Sequence, residues 1–294
     1  MANTSEINVE SPTRENSKFK KTLLTAIQLT SCSDVNKNLA AIVTQLTLLT
    51  RAASNYQHIV VLPECCLLFG AKDSEQLELA KQSAKNDRLA NDLAVLAKRF
   101  QVYLVAGSIP IITTNQDKFT NSSCVFSPEG YKLAQYDKIH LFDVEVTDNT
   151  QSYCESRFTQ AGEINDNICV VKTDLANIGL TICFDLRFPQ LFQQLVKKGA
   201  SIITIPSAFT KVTGKAHWQT LLQARAIENQ VYIIAAGQEG YHENGRETWG
   251  HSMIISPWGD ILACLPHGEG YVSAEYKQVE IKNIRQRMSL KSPI

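Results

Sequence analysis

The chain has 294 residues, of which 44% are hydrophobic and 20% charged, and its 29 basic and 29 acidic side chains cancel. That is enough apolar material for a large buried core, and the balanced charge gives no electrostatic pull toward nucleic acid or an anionic membrane. No apolar run approaches the roughly 18 residues that a membrane helix needs.

Residues 1–18, "MANTSEINVESPTRENSK", are polar and mixed in charge. They lack the apolar stretch of a secretory signal and read as a disordered tail before a single domain over 19–294. The first strand is "TLLTAIQLT" at 22–30. A helix follows, with Val35, Leu39, Ile42, Val43, Leu46 and Leu49 on one stripe and Ser33 or Asp34 as N-cap. "HIVVLPE" at 58–64 is a short strand stopped by Pro63, and 74–99 has the period of one helix. "VYLVAGSIP" reads as strand, and 122–138 as a hairpin turning at Pro128–Gly130.

In the second half, "ICVVKT" and "IGLTICF" are strands, and 189–198 is a helix closed by Gly199. "SIITIPSAF" is strand, 216–229 helix and "VYIIAAGQ" strand, and 251–265 forms a hairpin turning at Pro257–Gly259. Strands mixed with helices along one chain without a linker or repeat imply layered α/β architecture. Eight cysteines without a C-x-x-C, in a chain without an export signal, read as reduced thiols in a cytoplasmic protein. "NSS" at 121–123 matches a glycosylation acceptor by chance in that setting. The six histidines show no H-x-x-x-H spacing, so neither a metal nor another cofactor is expected.

Three polar residues stand at the ends of apolar runs: Glu64, Lys138 and Cys183. Ligands gather at the carboxyl ends of strands in α/β sheets. Taken singly, Glu64 could begin a loop, Lys138 could be a solvated charge and Cys183 could pack. Together they supply a thiol nucleophile, a proton acceptor and a cation that holds a thiolate or an oxyanion. On that reading Cys183 has thiolate character and alkylates faster than the other seven cysteines. Histidine is the alternative base, with His140 and His217 the candidates.

The motifs carry a resemblance. "VVLPEC", "YDKIHLFDVEV" and "GLTICFDLRFPQLF" resemble the glutamate, lysine and cysteine motifs of the nitrilase, or carbon–nitrogen hydrolase, superfamily, in that order and over nearly the whole chain. The resemblance implies an α-β-β-α four-layer sandwich, assembly into a homodimer or larger homo-oligomer, and a small-molecule amide as substrate. It makes Cys183 the nucleophile and Glu64 the general base, with Lys138 and the Phe184 amide stabilising the oxyanion. A second glutamate falls on Glu155 in "YCESRF", with Glu145 its rival. Where many relatives have tyrosine after the nucleophile, this chain has Phe184. "PSAFTKVTGKAHW" resembles the family's pocket segment, which makes Phe209, Thr210 and Trp218 candidates to line the substrate site, with plain core as the alternative. Asp185 and Arg187 are expected to hold the turn after the cysteine. Arg187 or the Lys211–Lys215 segment could also anchor a substrate carboxylate. "AAGQEGYHENGRETWGHSM" at 235–253 resembles the deaminated glutathione amidase branch, and its loop 237–251 could border the pocket; omega-amidases acting on α-ketoglutaramate are the alternative, and a catalytically silent scaffold the remote one.

Overall fold

Period-two alternation decides where each strand residue goes. In β1 (Thr22–Gln28), Leu24 and Ala26 enter one core while Ile27 enters another. In β2 (Gln57–Val61), Ile59 and Val61 face the first core and Val60 the second. Strands apolar on both faces need cover on both. α1 (Val35–Ala52) and, further along, α3 (Arg88–Phe100) cover the outer face through Ile42, Leu46, Leu89 and Leu93. The other face meets a second sheet.

These features belong to a computed structural model, which describes residues 21–146, 152–164 and 168–290. The tail assigned to residues 1–18 lies outside them. Between β2 and α3 stands α2 (Asp73–Ser83), and β3 (Tyr103–Val105), β4 (Ile109–Ile112), β5 (Phe119–Phe126) and β6 (Lys132–Asp137) complete the first sheet's local run. β7 (Asp143–Glu145) and β8 (Ser152–Cys154) form a separate small pair. Next come β9 (Val170–Lys172), β10 (Asn177–Leu180), α4 (Pro189–Lys197), β11 (Ile202–Ser207), α5 (Lys211–Asn229) and β12 (Tyr232–Gly237). β13 (Glu239–Tyr241), β14 (Glu247–Trp249), β15 (Ser252–Ile255), β16 (Ile261–Leu265), β17 (Gly270–Glu275) and α6 (Gln278–Arg287) end the fold.

The first sheet runs β17-β1-β2-β3-β5-β4, with β6 also on β5; β1, β2 and β3 are parallel. The second runs β16-β15-β12-β11-β10-β9, with β10, β11 and β12 parallel. The two sheets share a core in which Leu24, Ile59 and Val61 join residues such as Ile178, Ile234 and Ile254. α4 and α5 cover the second sheet through Phe192, Leu195, Trp218 and Leu222. Helix, sheet, sheet, helix is the four-layer sandwich that the resemblance implies.

Asp34 caps α1 by accepting from the Asn36 and Lys37 amides, and Gly199 takes the left-handed conformation just past α4. Both hairpins turn where expected, the register of β5 on β6 and of β15 on β16 being antiparallel.

Four boundaries differ from the sequence reading. The helix over 74–99 is two helices, because Asn86 and Asp87 form a turn in which Asp87 has φ 49°. "VYLVAGSIP" is two strands broken at Gly107, whose φ is 55° and where a Cβ would lie 1.9 Å from the Pro63 carbonyl oxygen. α5 begins at Lys211, earlier than 216, since the Thr210 side chain caps it by accepting from Thr213 N. Its Gly214 is a close-packing glycine: a Cβ there would meet the Trp249 ring at 2.3 Å. The strand "IGLTICF" ends at Leu180, leaving Cys183 in a short 3₁₀ turn.

Candidate active site

Strands of both sheets end at one cavity of about 390 Å³. Glu64 follows β2, Lys138 follows β6, Cys183 follows β10 and Phe209 with Thr210 follows β11; all five line it. So do Glu155, Phe184 and Arg187. The topology therefore brings the glutamate, lysine and cysteine candidates together with Phe184, Arg187, Phe209 and Thr210; Glu145 stays exposed on β7, and Trp218 is core and does not line the cavity.

Lys138 is the hub. Its side chain is 2% exposed, and its Nζ donates to Glu64 Oε1 at 2.8 Å and to Glu155 at 2.9 Å (Oε2) and 3.1 Å (Oε1). A buried ammonium needs such partners, since an unpaired one costs several kcal/mol. Burial works against the Lys138 charge, but Glu155 and then Glu64 outweigh it and hold the ammonium well above its ordinary range. Glu155 is fixed in turn by the Phe142 amide, which donates to Oε2 at 2.7 Å.

Glu64 is as well held. Burial alone pushes its carboxyl up, but Lys138 outweighs this and leaves it below the usual carboxylate range. Its Oε2 accepts from the Ala208 amide at 2.9 Å and its Oε1 from Asn121 Nδ2 at 3.0 Å. Gln238 donates to the Glu64 carbonyl, and Ser108 accepts from the Cys65 amide, so the loop is tied down on two sides. Cys65 takes φ 53°, a conformation that L-residues rarely adopt.

Cys183 shares that feature, with φ 48° at the point where the strand breaks into its turn. A left-handed residue of this type costs about 1–2 kcal/mol, and here it aims the thiol into the cavity. Asp185 holds the turn. It is fully buried and accepts from Ile182 N at 2.9 Å, Tyr136 hydroxyl at 2.7 Å, His140 N at 3.1 Å and His140 Nδ1 at 2.7 Å. Since Tyr136 and His140 flank Lys138, one carboxylate locks the cysteine turn to the lysine segment.

The electrostatics correct one expectation. Burial pushes the Cys183 thiol up and the neighbouring Glu64 charge pushes it further, against Lys138, so the thiol rests well above its ordinary range. It is a neutral thiol beside an ionised carboxylate rather than a standing thiolate. Glu64 and Cys183 lie within hydrogen-bonding influence of each other, which suits proton transfer at the moment of attack.

The histidine alternative does not fit. His140 is bound to Asp185 and stacked on Phe188 at 3.5 Å, His217 contacts Arg187, and neither lines the cavity. Arg187 does not hold the turn through a carboxylate. It lies 5.6 Å over the Phe184 ring and 5.5 Å over the Phe209 ring, with a contact to His217 Nδ1. The Lys211–Lys215 segment is also placed differently: Lys211 pairs with Glu247, and neither lysine lines the cavity. Among the described residues no group of three or more His, Cys, Asp or Glu is arranged to hold a metal.

Two cavity residues escaped the sequence reading. Asn121 bridges the two acids, donating to Glu64 and, at 3.3 Å, to Glu155. Its signal was visible as an asparagine inside a strand, which is a disfavoured place for one. Arg246 lies within the loop expected to border the pocket, and it lines the cavity together with Asn244. Nothing in local sequence marks it.

Comparison with known proteins places these residues in context. The carbon-nitrogen hydrolase family model matches residues 23–286. The deaminated glutathione amidase of Yersinia enterocolitica is 39% identical over 271 residues, 92% of each chain. An omega-amidase of Xenopus tropicalis is 34% identical over 245 residues, 83% of this chain and 85% of that one. Among solved structures, Saccharomyces cerevisiae Nit3, a member of branch 10 of the nitrilase superfamily, superposes with a TM-score of 0.81 at 28% identity, over 93% of this chain and 96% of that one.

Proposed function

The chain belongs to the carbon-nitrogen hydrolase family and is an amidase, and from that premise we propose that it hydrolyses deaminated glutathione to α-ketoglutarate and cysteinylglycine through a thioester on Cys183. The observation that carries the chemistry is the buried Lys138 bonded to two carboxylates in the cavity that Cys183 enters.

Glu64 takes the Sγ proton as sulfur attacks the amide carbonyl carbon. The C–S bond forms and the carbonyl electrons move to oxygen, where Lys138 and the Phe184 amide stabilise the negative charge. As the carbonyl re-forms, the C–N bond breaks and Glu64 passes its proton to the departing nitrogen. A water then gives a proton to Glu64 and attacks the thioester. The C–S bond breaks, the acid leaves, and Glu64 returns the proton to sulfur. Glu155 keeps Lys138 charged and in place throughout.

Arg187 supports an acidic acyl group. It has no carboxylate partner among the described residues, and it lines the cavity with its guanidinium over the Phe184 and Phe209 rings. A cavity of about 390 Å³ falls in the roughly 300–1,000 Å³ range of small-molecule sites and has room for more than a simple amide.

The second reading is an omega-amidase, which the Xenopus relative keeps in view. Parallel kinetics decide between them. The proposal predicts a higher kcat/KM for deaminated glutathione than for α-ketoglutaramate. Equal values, or the reverse order, would favour the omega-amidase reading, and no turnover of any amide would leave a silent scaffold.

A further inference from the structure

The tip of the β13–β14 hairpin carries an arginine in an unusual setting. The Arg246 guanidinium lies 5.0 Å from the Phe69 ring centroid and 4.8 Å from that of Tyr153. Its Nε is sheltered from solvent and donates to nothing, and no carboxylate of the described residues stands within ion-pair distance. Two aromatic faces stabilise a cation only partly, and a sheltered N–H without an acceptor costs about 1–3 kcal/mol. The hairpin that presents it is firmly built. The His242 ring bridges the Ser31 carbonyl at 3.0 Å and the Thr248 hydroxyl at 2.7 Å, and the Arg246 carbonyl accepts from the His242 amide. A cation held at a cavity wall without an ion-pair partner, near enough to Glu64 to help keep that carboxyl ionised, still has an unused donor for an anion.

Its position says which anion. Arg187 stands on the cysteine turn, over Phe184 and Phe209. Arg246 stands over a different pair, and Phe69 is five residues beyond Glu64 on the same loop. Glu64 hands its proton to the departing nitrogen, so the Glu64 side is where the leaving amine sits. We propose that Arg246 binds the terminal carboxylate of the leaving amine, so that the cavity selects amides with a carboxylate at each end. This rests on the dipeptide-amide reading above. An ammonia leaving group offers Arg246 nothing to bind.

The test compares deaminated glutathione with the same molecule carrying a carboxamide in place of its glycine carboxylate, alongside α-ketoglutaramate. Wild-type enzyme is expected to lose about 10- to 100-fold in kcat/KM on the carboxamide, the range of a charge-assisted hydrogen bond. Arg246→Gln is expected to lose as much on the acid and to treat acid and carboxamide alike, with a far smaller loss on α-ketoglutaramate. Equal wild-type rates on acid and carboxamide would overturn the assignment without any variant. So would an Arg246→Gln loss equal on all three substrates, which would make Arg246 a support for Glu64. Wild-type turnover of α-ketoglutaramate alone would overturn the dipeptide reading itself, and this proposal with it, and that result differs from both of the others.

Discussion

Acid should loosen the β13–β14 hairpin through His242. Burial is the main cause that lowers its pKa from 6.5 to about 4; the Arg246 charge adds to it, and the Ser31 carbonyl and Glu243 oppose it. With the Ser31 carbonyl as acceptor for Nδ1–H, Nε2 is left to accept from Thr248, which is the neutral ring. The folded pKa lies below the unfolded one, so between them the unfolded chain binds the proton and the folded chain does not. Stability then falls as pH falls from 6.5 toward 4. At 1.36 kcal/mol per unit the full window is worth roughly 3 kcal/mol, of which about 2 kcal/mol is lost between pH 7 and pH 5. His242→Gln keeps a donor and an acceptor but does not titrate. Urea denaturation of both proteins at the two pH values isolates the effect: the wild type should lose about 2 kcal/mol more than the variant. Equal losses would refute the idea that His242 is held neutral by its burial.

Lys138→Met should abolish turnover and also destabilise the fold by roughly 3–5 kcal/mol, because it leaves buried Glu64 without its cation and beside the partly buried Glu155; a fully stable variant in calorimetry would contradict the network described. Glu64→Gln should remove activity and move the pH profile of Cys183 alkylation downward, since the Glu64 charge is one cause of the raised thiol; an upward shift would reverse the assigned electrostatics. Gly107→Ala should cost several kcal/mol, since its Cβ would strike the Pro63 carbonyl just before Glu64; a midpoint within experimental error of wild type would argue against that packing.

The readable parts of the chain were those governed by local physics. Asp34 at the N-cap, Gly199 past α4 and the turns at Pro128–Gly130 and Pro257–Gly259 are each set by their own few residues. The site was legible because strands deliver Glu64, Lys138 and Cys183 to their carboxyl ends, and the family resemblance implied Glu155. One local feature was missed: the helix over 74–99 had the right period, but its own Asn86 and Asp87 make a turn within it. The other failures were non-local. Lys211 looked like an anchor in sequence, yet its partner Glu247 arrives from another hairpin. Arg246 finds Phe69 and Tyr153 only through the fold, the latter 93 residues away. Asn121 was read as a chance acceptor site, because its two acids come from distant loops. The thiolate expectation took Glu64 as a proton acceptor and Lys138 as the stabilising cation, and it left out burial, which with the Glu64 charge raises the thiol.

The central claim is a covalent acyl group on Cys183. Rapid quenching of the enzyme with deaminated glutathione, followed by intact-mass and peptide mass spectrometry, tests it directly. The account predicts a transient α-ketoglutaryl thioester confined to the peptide that carries Cys183, and none in Cys183→Ala. An acyl group on another of the eight cysteines, or steady turnover by Cys183→Ala, would contradict it.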